Sequence, residues 1–255
     1  MSETTPTILP IPIFKDNIVW LLESDPGHAV LFDPGDCDPV IEALQQQHRI
    51  PTHILITHHH HDHIDGVLPL ARHFGAKIVG HTLDAGRLPP LDIALKDGDS
   101  LQLGPWMCTV MATPGHTSGH VVYRIHDALM TGDTLFSLGC GRLFEGTPEQ
   151  MWTSLQKIRE WTGIRRLFPA HEYTLLNLGF VARYDPDNPH LGAMREWLFQ
   201  QTDLGLPTLP TTLERECQCN PFLRADDVDF GRQLGLTGKS AVEVFAHIRT
   251  MRNQF

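Results

Sequence analysis

Short apolar runs separated by turn residues dominate the first two thirds of the chain. Residues 18–22 (IVWLL) and 29–32 (AVLF) are rich in β-branched and apolar side chains and read as a hairpin pair, followed by the turn Asp33-Pro34-Gly35-Asp36. Similar runs at 53–57, 108–112, 121–123, 128–130 and 166–169 read as further strands. Between them the period changes. Asp38-Pro39 opens a helix to about Gln47, with Asp38 as N-cap and Pro39 in the first turn. Residues 66–74 carry helical spacing and stop at Gly75. Thr147-Pro148-Glu149-Gln150 is a capping-box start for a helix running to Gly163.

After Tyr173 the texture shifts. Residues 175–182, 192–201 and 240–251 are helical by periodicity, and LPTLP at 206–210 is a linker-like break. Strands feeding helices on both halves of residues 8–170 predict an α/β (α+β) protein with a four-layer αββα sandwich. A smaller, mostly helical C-terminal region follows it, with the division placed at 1–173 and 174–255.

Composition narrows the function classes. With 255 residues, 41% hydrophobic and 20% charged, the chain can bury a substantial core. A formal net charge of −10 argues against a nucleic-acid surface. No apolar run approaches ~20 residues, so no membrane span is expected. Residues 1–14, where Glu3 is the only early charge, show no basic or long apolar leader. Five cysteines without regular spacing argue against a disulfide framework and for a reducing, cytoplasmic location. Cys217-Gln218-Cys219 lacks companions and reads as packing or a loop thiol.

Candidate chemistry is concentrated in THHHHDHIDG at 57–66, where the strand-like run ends. If the chain stays extended there, His58 and His60 point the same way while His59 and His61 point elsewhere. A turn at Asp62-His63 would then bring a second pair inward. Imidazole and carboxylate ligands suit zinc, iron or manganese. Three more strand ends supply His116 (in TPGHT), Asp133 (in TGDT) and His171 (in AHE). Each alone is a common turn residue. Together they make five histidines and two aspartates, enough for two ions.

The order His-x-His-x-Asp-His, His, Asp, His resembles the ligand signature of the metallo-β-lactamase superfamily. GDTLF at 132–136, GCGRLFEGT at 139–147, AHEYT at 170–174, NPFLR at 220–224 and the ending RTMRNQF at 249–255 resemble the hydroxyacylglutathione hydrolase (glyoxalase II) family. This resemblance implies the αββα metallo-β-lactamase sandwich. It also implies that His58, His60 and His116 bind one metal, that Asp62, His63 and His171 bind a second, and that Asp133 bridges them. Asp133 and Asp62 are the catalytic candidates. A hydroxide shared by two divalent ions, most readily zinc, forms near neutral pH because metal binding lowers the pKa of water to about 7.

The implied reaction is hydrolysis of S-(2-hydroxyacyl)glutathione, typically S-lactoylglutathione, to glutathione and a 2-hydroxy acid (D-lactate), the second step of methylglyoxal detoxification. A thiolate with a pKa near ~8.5 leaves with little protonation, which suits a site showing no obvious general acid. By the same resemblance Arg142, Tyr173, Arg249 and Arg252 contact the tripeptide, whose carboxylates call for fixed cations. Two positions depart from some members: Arg252 stands where they have Lys, and Phe144 where they have Tyr. The expected partner is thus a small glutathione thioester met by a monomer, with neither nucleic acid nor membrane involved.

Other residues have expectations of their own. His59 and His61 are expected to lie outside the ligand set, His120 to support the turn after His116 or pack at the start of the strand at 121–123, Asp33 to orient a ligand or cap a turn, and Asp65 to be a tolerated replacement of glycine. The rival readings are a lactonase, β-lactamase or persulfide oxygenase, and, from another class, a metal-stabilised binding scaffold without turnover.

Overall fold

The computed structural model describes residues 5–255; Glu3 lies outside the described residues. Two six-stranded sheets face each other. The first runs in sequence order through β1 (Ile8–Ile13), β2 (Asn17–Glu23), β3 (His28–Phe32), β4 (Ile50–Leu55), β5 (Lys77–His81) and β6 (Ile93–Leu95). Its first three strands are antiparallel, and β3 to β6 are parallel. The parallel part needs crossovers: α1 (Asp38–Gln46) joins β3 to β4, the single turn α2 (His61–Ile64) and α3 (Val67–Phe74) join β4 to β5, and a loop with a 3-10 turn at Thr82–Asp84 joins β5 to β6. The second sheet contains β7 (Ser100–Leu103), β8 (Trp106–Ala112), β9 (Val121–Ile125) and β10 (Ala128–Gly132). After the hairpin β11 (Leu135–Phe136) and β12 (Gly139–Cys140) and helix α4 (Pro148–Glu160), it is completed by β13 (Arg166–Pro169) and β14 (Thr211–Thr212).

Strand alternation explains the layering. Trp20 and Leu22 of β2 point between the sheets, with Phe32, Val79, Tyr123, Met130 and Phe168. Val19 and Leu21 point the other way, onto Val40 and Leu44 of α1 and Val67 and Leu70 of α3. The outer face of the second sheet, Val122, Leu129 and Leu167, packs on Met151, Leu155 and Ile158 of α4 and on Val244, Phe245 and Ile248 of α9 (Ala241–Gln254). Each such side chain contributes roughly 1.5–3 kcal/mol on burial. These contacts produce the αββα order that the sequence predicts.

The C-terminal region adds α5 (Thr174–Tyr184), α6 (Leu191–Asp203), α7 (Leu213–Cys219) and α8 (Val228–Gln233) before α9. Leu178, Val181, Leu191, Met194 and Leu198 form a separate small core there. The capping box at Thr147 is present, and Gly75 ends α3 in the left-handed region at φ 73°. Residue 37 rather than Asp38 caps α1, so Asp38 is its first helical residue; one-residue shifts at helix ends are ordinary. Asp65 adopts φ −64°, so no left-handed backbone is asked of it. None of the described helices is long and apolar enough to cross a membrane.

At the β1–β2 turn the two sheets are stitched together by main-chain pairing. Ile18 N donates to Ala170 O at 2.7 Å, Glu172 N donates to Asp16 O at 2.8 Å, and Asn17 pairs with His171 as an antiparallel bridge.

Candidate metal centre

All seven predicted ligands meet at one end of the sandwich, delivered by strand ends. β4 leads into His58 and His60, the single turn α2 carries Asp62 and His63, and the loops after β8, β10 and β13 carry His116, Asp133 and His171. The helical turn starting at His61 replaces the simple turn expected at 62–63; it rotates Asp62 and His63 inward and leaves His61 90% exposed at its side chain, bonded to Asp65.

Two clusters result. Ligand atoms of His58, His60, His116 and Asp133 lie within 4.8 Å of one another, and so do those of Asp62, His63 and His171. In the first, His60 Nδ1 is 3.0 Å from both His58 Nε2 and His116 Nε2. In the second, His171 Nε2 is 3.4 Å and His63 Nε2 3.5 Å from Asp62 Oδ2. Asp133 sits between them. Its Oδ2 is 3.3 Å from His116 Nε2, whereas its Oδ1 is 3.4 Å from His171 Nε2 and 3.5 Å from His63 Nε2.

Hydrogen bonding leaves this set of donors incomplete. Both ring nitrogens of His63 and Oδ1 of Asp133 are buried without a hydrogen-bond partner. Orphaned buried groups cost about 1–3 kcal/mol each. A cation liganded by His63 Nε2 and Asp133 Oδ1 relieves two of the three, so the donors fit a metal pair on their own chemistry.

The electrostatics separate the clusters too. Burial and the neighbouring His63 and His120 hold His58 well below the usual imidazole range, and burial with His116 brings His60 down to about 4. His63 and His171 go the other way: burial opposes their charge, but Asp133 and the nearby carboxylates raise both. For Asp133 itself burial favours the neutral acid, and His171 and His63 override it, keeping the carboxylate ionised.

Partners behind the ligands fix their orientation. His116 Nδ1 donates to Arg142 O at 2.8 Å, and His58 Nδ1 is 3.0 Å from Thr57 Oγ1. Asp33 binds Thr57 through both its carboxylate oxygens at 2.7 Å, and its Oδ2 lies 3.3 Å from His63 Nδ1. Fully buried His120 accepts from Asp133 N at 3.0 Å and supports that turn. His59 turns away to Asp84 at 3.2 Å, in a network with Arg87, Glu145 and Ser118.

Beside the clusters opens a pocket of about 370 Å³ lined by all four predicted substrate residues, Arg142, Tyr173, Arg249 and Arg252. They are not equivalent. Arg142 is exposed. Arg252 is half-buried and already donates Nε and Nη2 to Asn177 Oδ1 at 3.2 and 3.1 Å. Arg249 is 7% exposed, donates Nη1 to Cys140 O at 2.7 Å and lies over the Phe222 ring, so the fold uses much of its guanidinium. Tyr173 stacks on His171, rings 4.9 Å apart and 7° from parallel. Phe144, 61% exposed, sets its ring edge-on to His60 and His116, each 5.3 Å away.

Sequence reasoning missed Asp16, Asn17, Asn177 and Glu216. Asn17 Nδ2 donates to Asp62 Oδ2 at 2.9 Å. Glu216, wholly buried, accepts from Leu138 N, Ser137, Thr211 and Asn220, while Asn220 Nδ2 also reaches Phe136 O and Gly139 O; this ties α7 to the β11–β12 hairpin beside the pocket. The NPFLR segment shared with the family hinted at Asn220. Nothing local marked the others.

Comparison with known proteins agrees with this geometry. The sequence profile of the metallo-β-lactamase superfamily matches residues 17–176, and that of the hydroxyacylglutathione hydrolase C-terminus matches residues 172–255. The chain is 43% identical to a hydroxyacylglutathione hydrolase of Methylococcus capsulatus, over 97% of this chain and 98% of that protein. Among solved structures, the BLEG-1 B3 metallo-β-lactamase superposes with a TM-score of 0.65 at 25% identity, covering 85% of this chain and 99% of its own. A protein crystallised in a di-iron-bound form superposes with a TM-score of 0.58 at 27% identity, covering 86% of this chain and all of its own.

Proposed function

Because the chain belongs to the hydroxyacylglutathione hydrolase family of the metallo-β-lactamase superfamily, we propose that it is a two-metal thioesterase cleaving S-(2-hydroxyacyl)glutathione, S-lactoylglutathione above all, to glutathione and a 2-hydroxy carboxylate. The observation that carries the two-metal part is Asp133, whose two oxygens face different clusters. His58, His60 and His116 would hold one divalent ion and Asp62, His63 and His171 the other; the di-iron neighbour supports a pair, and zinc, iron and manganese all suit these donors. Such a pair supplies a water of lowered pKa as nucleophile and polarises a carbonyl.

The chain's own residues do the rest. Asp133 keeps the clusters at a fixed separation. Asp62, where burial is outweighed by His63 and Asn17, is held well below the usual carboxylate range and so meets a cation already ionised, as a ligand must be. Arg142, Arg252 and Tyr173 would hold the tripeptide, with Arg249 setting the wall behind them. The leaving group is a thiol of pKa about 8.5, so expulsion as thiolate needs no acid. Division into a catalytic region 1–173 and a substrate-binding region 174–255, and a cytoplasmic monomer, belong to the same reading.

The test is hydrolysis of S-lactoylglutathione by metal-loaded protein, followed as loss of thioester absorbance beside a lactam and a lactone. Turnover of the thioester with little of the other two is expected. Preference for the lactam or lactone would refute the substrate assignment.

A further inference from the structure

We propose that Asp16 is a positioning residue for the second ligand cluster, holding His171 in the tautomer a cation requires and thereby fixing the ring on which Tyr173 of the substrate pocket stacks. The Tyr173 half rests on the thioesterase reading; the His171 half does not.

Main-chain register delivers this carboxylate. The pairing of residues 16–18 with 170–172 leaves little freedom at either end, and it sets Asp16 Oδ1 2.9 Å from His171 Nδ1. A proton held on Nδ1 leaves the lone pair on Nε2. Nε2 is the atom that faces Asp62 Oδ2 and Asp133 Oδ1, each at 3.4 Å. The adjacent Asn17 donates its side-chain amide to Asp62 Oδ2, so a single surface turn orients a histidine and an aspartate of the same cluster.

The ring that Asp16 holds is also the one on which Tyr173 of the substrate pocket packs. Tyr173 stacks flat on His171, and burial together with the Asp16 carboxylate pushes its phenol up from its ordinary range. The first cluster has a different design, since its rings are held by the Arg142 carbonyl and the Thr57 hydroxyl inside the sandwich.

Asp16→Ala, Asp16→Asn and Tyr173→Phe in the full chain test this, with zinc content measured by elemental analysis after dialysis against graded chelator, far-UV circular dichroism to check folding, and steady-state kinetics on S-lactoylglutathione. Asp16→Ala is expected to weaken one of two zinc equivalents about 10- to 100-fold and leave the other unchanged. Asp16→Asn keeps an acceptor oxygen and should recover part of that loss. Tyr173→Phe should keep both equivalents and raise KM more than it lowers kcat. Retention of both equivalents at parental affinity in Asp16→Ala, parallel loss of both, or no recovery in Asp16→Asn would overturn the proposal. A parent chain that binds two zinc ions but hydrolyses no glutathione thioester would refute the proposed function while leaving the zinc arm a valid test of Asp16.

Discussion

The two ligand clusters are built by different means, although they share Asp133 and lie side by side. His58 and His116 are buried at 0% and 3% exposure, their rings packed edge-on to one another and to His60. That cluster is shaped by the sandwich core. In the second, His63 is buried, but the Asp62 side chain is 42% exposed and depends on hydrogen bonds from a surface turn. Burial also drives the first histidines toward neutrality, whereas the carboxylates around the second favour their protonated forms. Neutral imidazoles are ready ligands, and protonated ones must lose a proton first. One half of the centre is thus preset by packing and the other by polar contacts at the edge.

Asp133→Asn should break the comparison altogether, because a neutral amide bridges two cations poorly. We expect at least a ~100-fold loss of kcat/KM, more than outer hydrogen-bond partners typically cost, together with loss of a metal equivalent by elemental analysis. Removing the metals in stages would sharpen it. Chelator titration of the loaded protein should release two equivalents in separate steps, and His171→Ala should abolish the first-released step while His58→Ala should not.

The arginines of the pocket offer a second contrast of the same kind. A hydrogen bond to a charged group contributes about 1.5–3 kcal/mol, so Arg252→Ala should raise KM for the glutathione thioester roughly 10- to 150-fold, less where solvent screens the contact. Arg249→Ala should act differently. It removes a buried guanidinium bonded to Cys140 O, so a lowered denaturant midpoint should accompany any kinetic loss.

How much of this was legible in the sequence depends on how each residue is placed. The seven candidate ligands were readable as a set because each lies beyond an apolar run at a strand end, where position in the chain nearly determines position in space. Helices α7 and α8 went unnoticed because they are one or two turns long and have little room for periodicity. Asp16 and Asn17 were invisible for another reason: they act on His171 and Asp62 through a register set between segments some 155 residues apart. Arg249 was readable as a cation but not as a buried one, since its depth depends on how α9 packs on α4. The α1 cap and the turn at His61 show that local signals placed elements correctly and missed their details.

The smallest expected effect concerns the polar clamp beside the first cluster. Burial opposes ionisation of Glu145, but Arg87 and Ser118 bring its carboxyl down to about 2. A depressed carboxylate contributes stability above its unfolded pKa, near ~4.3, and loses it as pH falls toward the folded value. Glu145→Gln should therefore cost on the order of 0.5–1 kcal/mol at pH 7, kept small by solvent screening, and almost nothing near the folded value of about 2. Denaturant midpoints at the two pH values provide the check.

Anomalous diffraction from crystals of the zinc-loaded chain tests the central claim most directly. Two ions about 3.5–4 Å apart are expected, one bound by His58, His60 and His116, the other by Asp62, His63 and His171, with Asp133 touching both. A single ion, coordination by His59 or His61, or an Asp133 that contacts one ion alone would contradict the two-cluster centre.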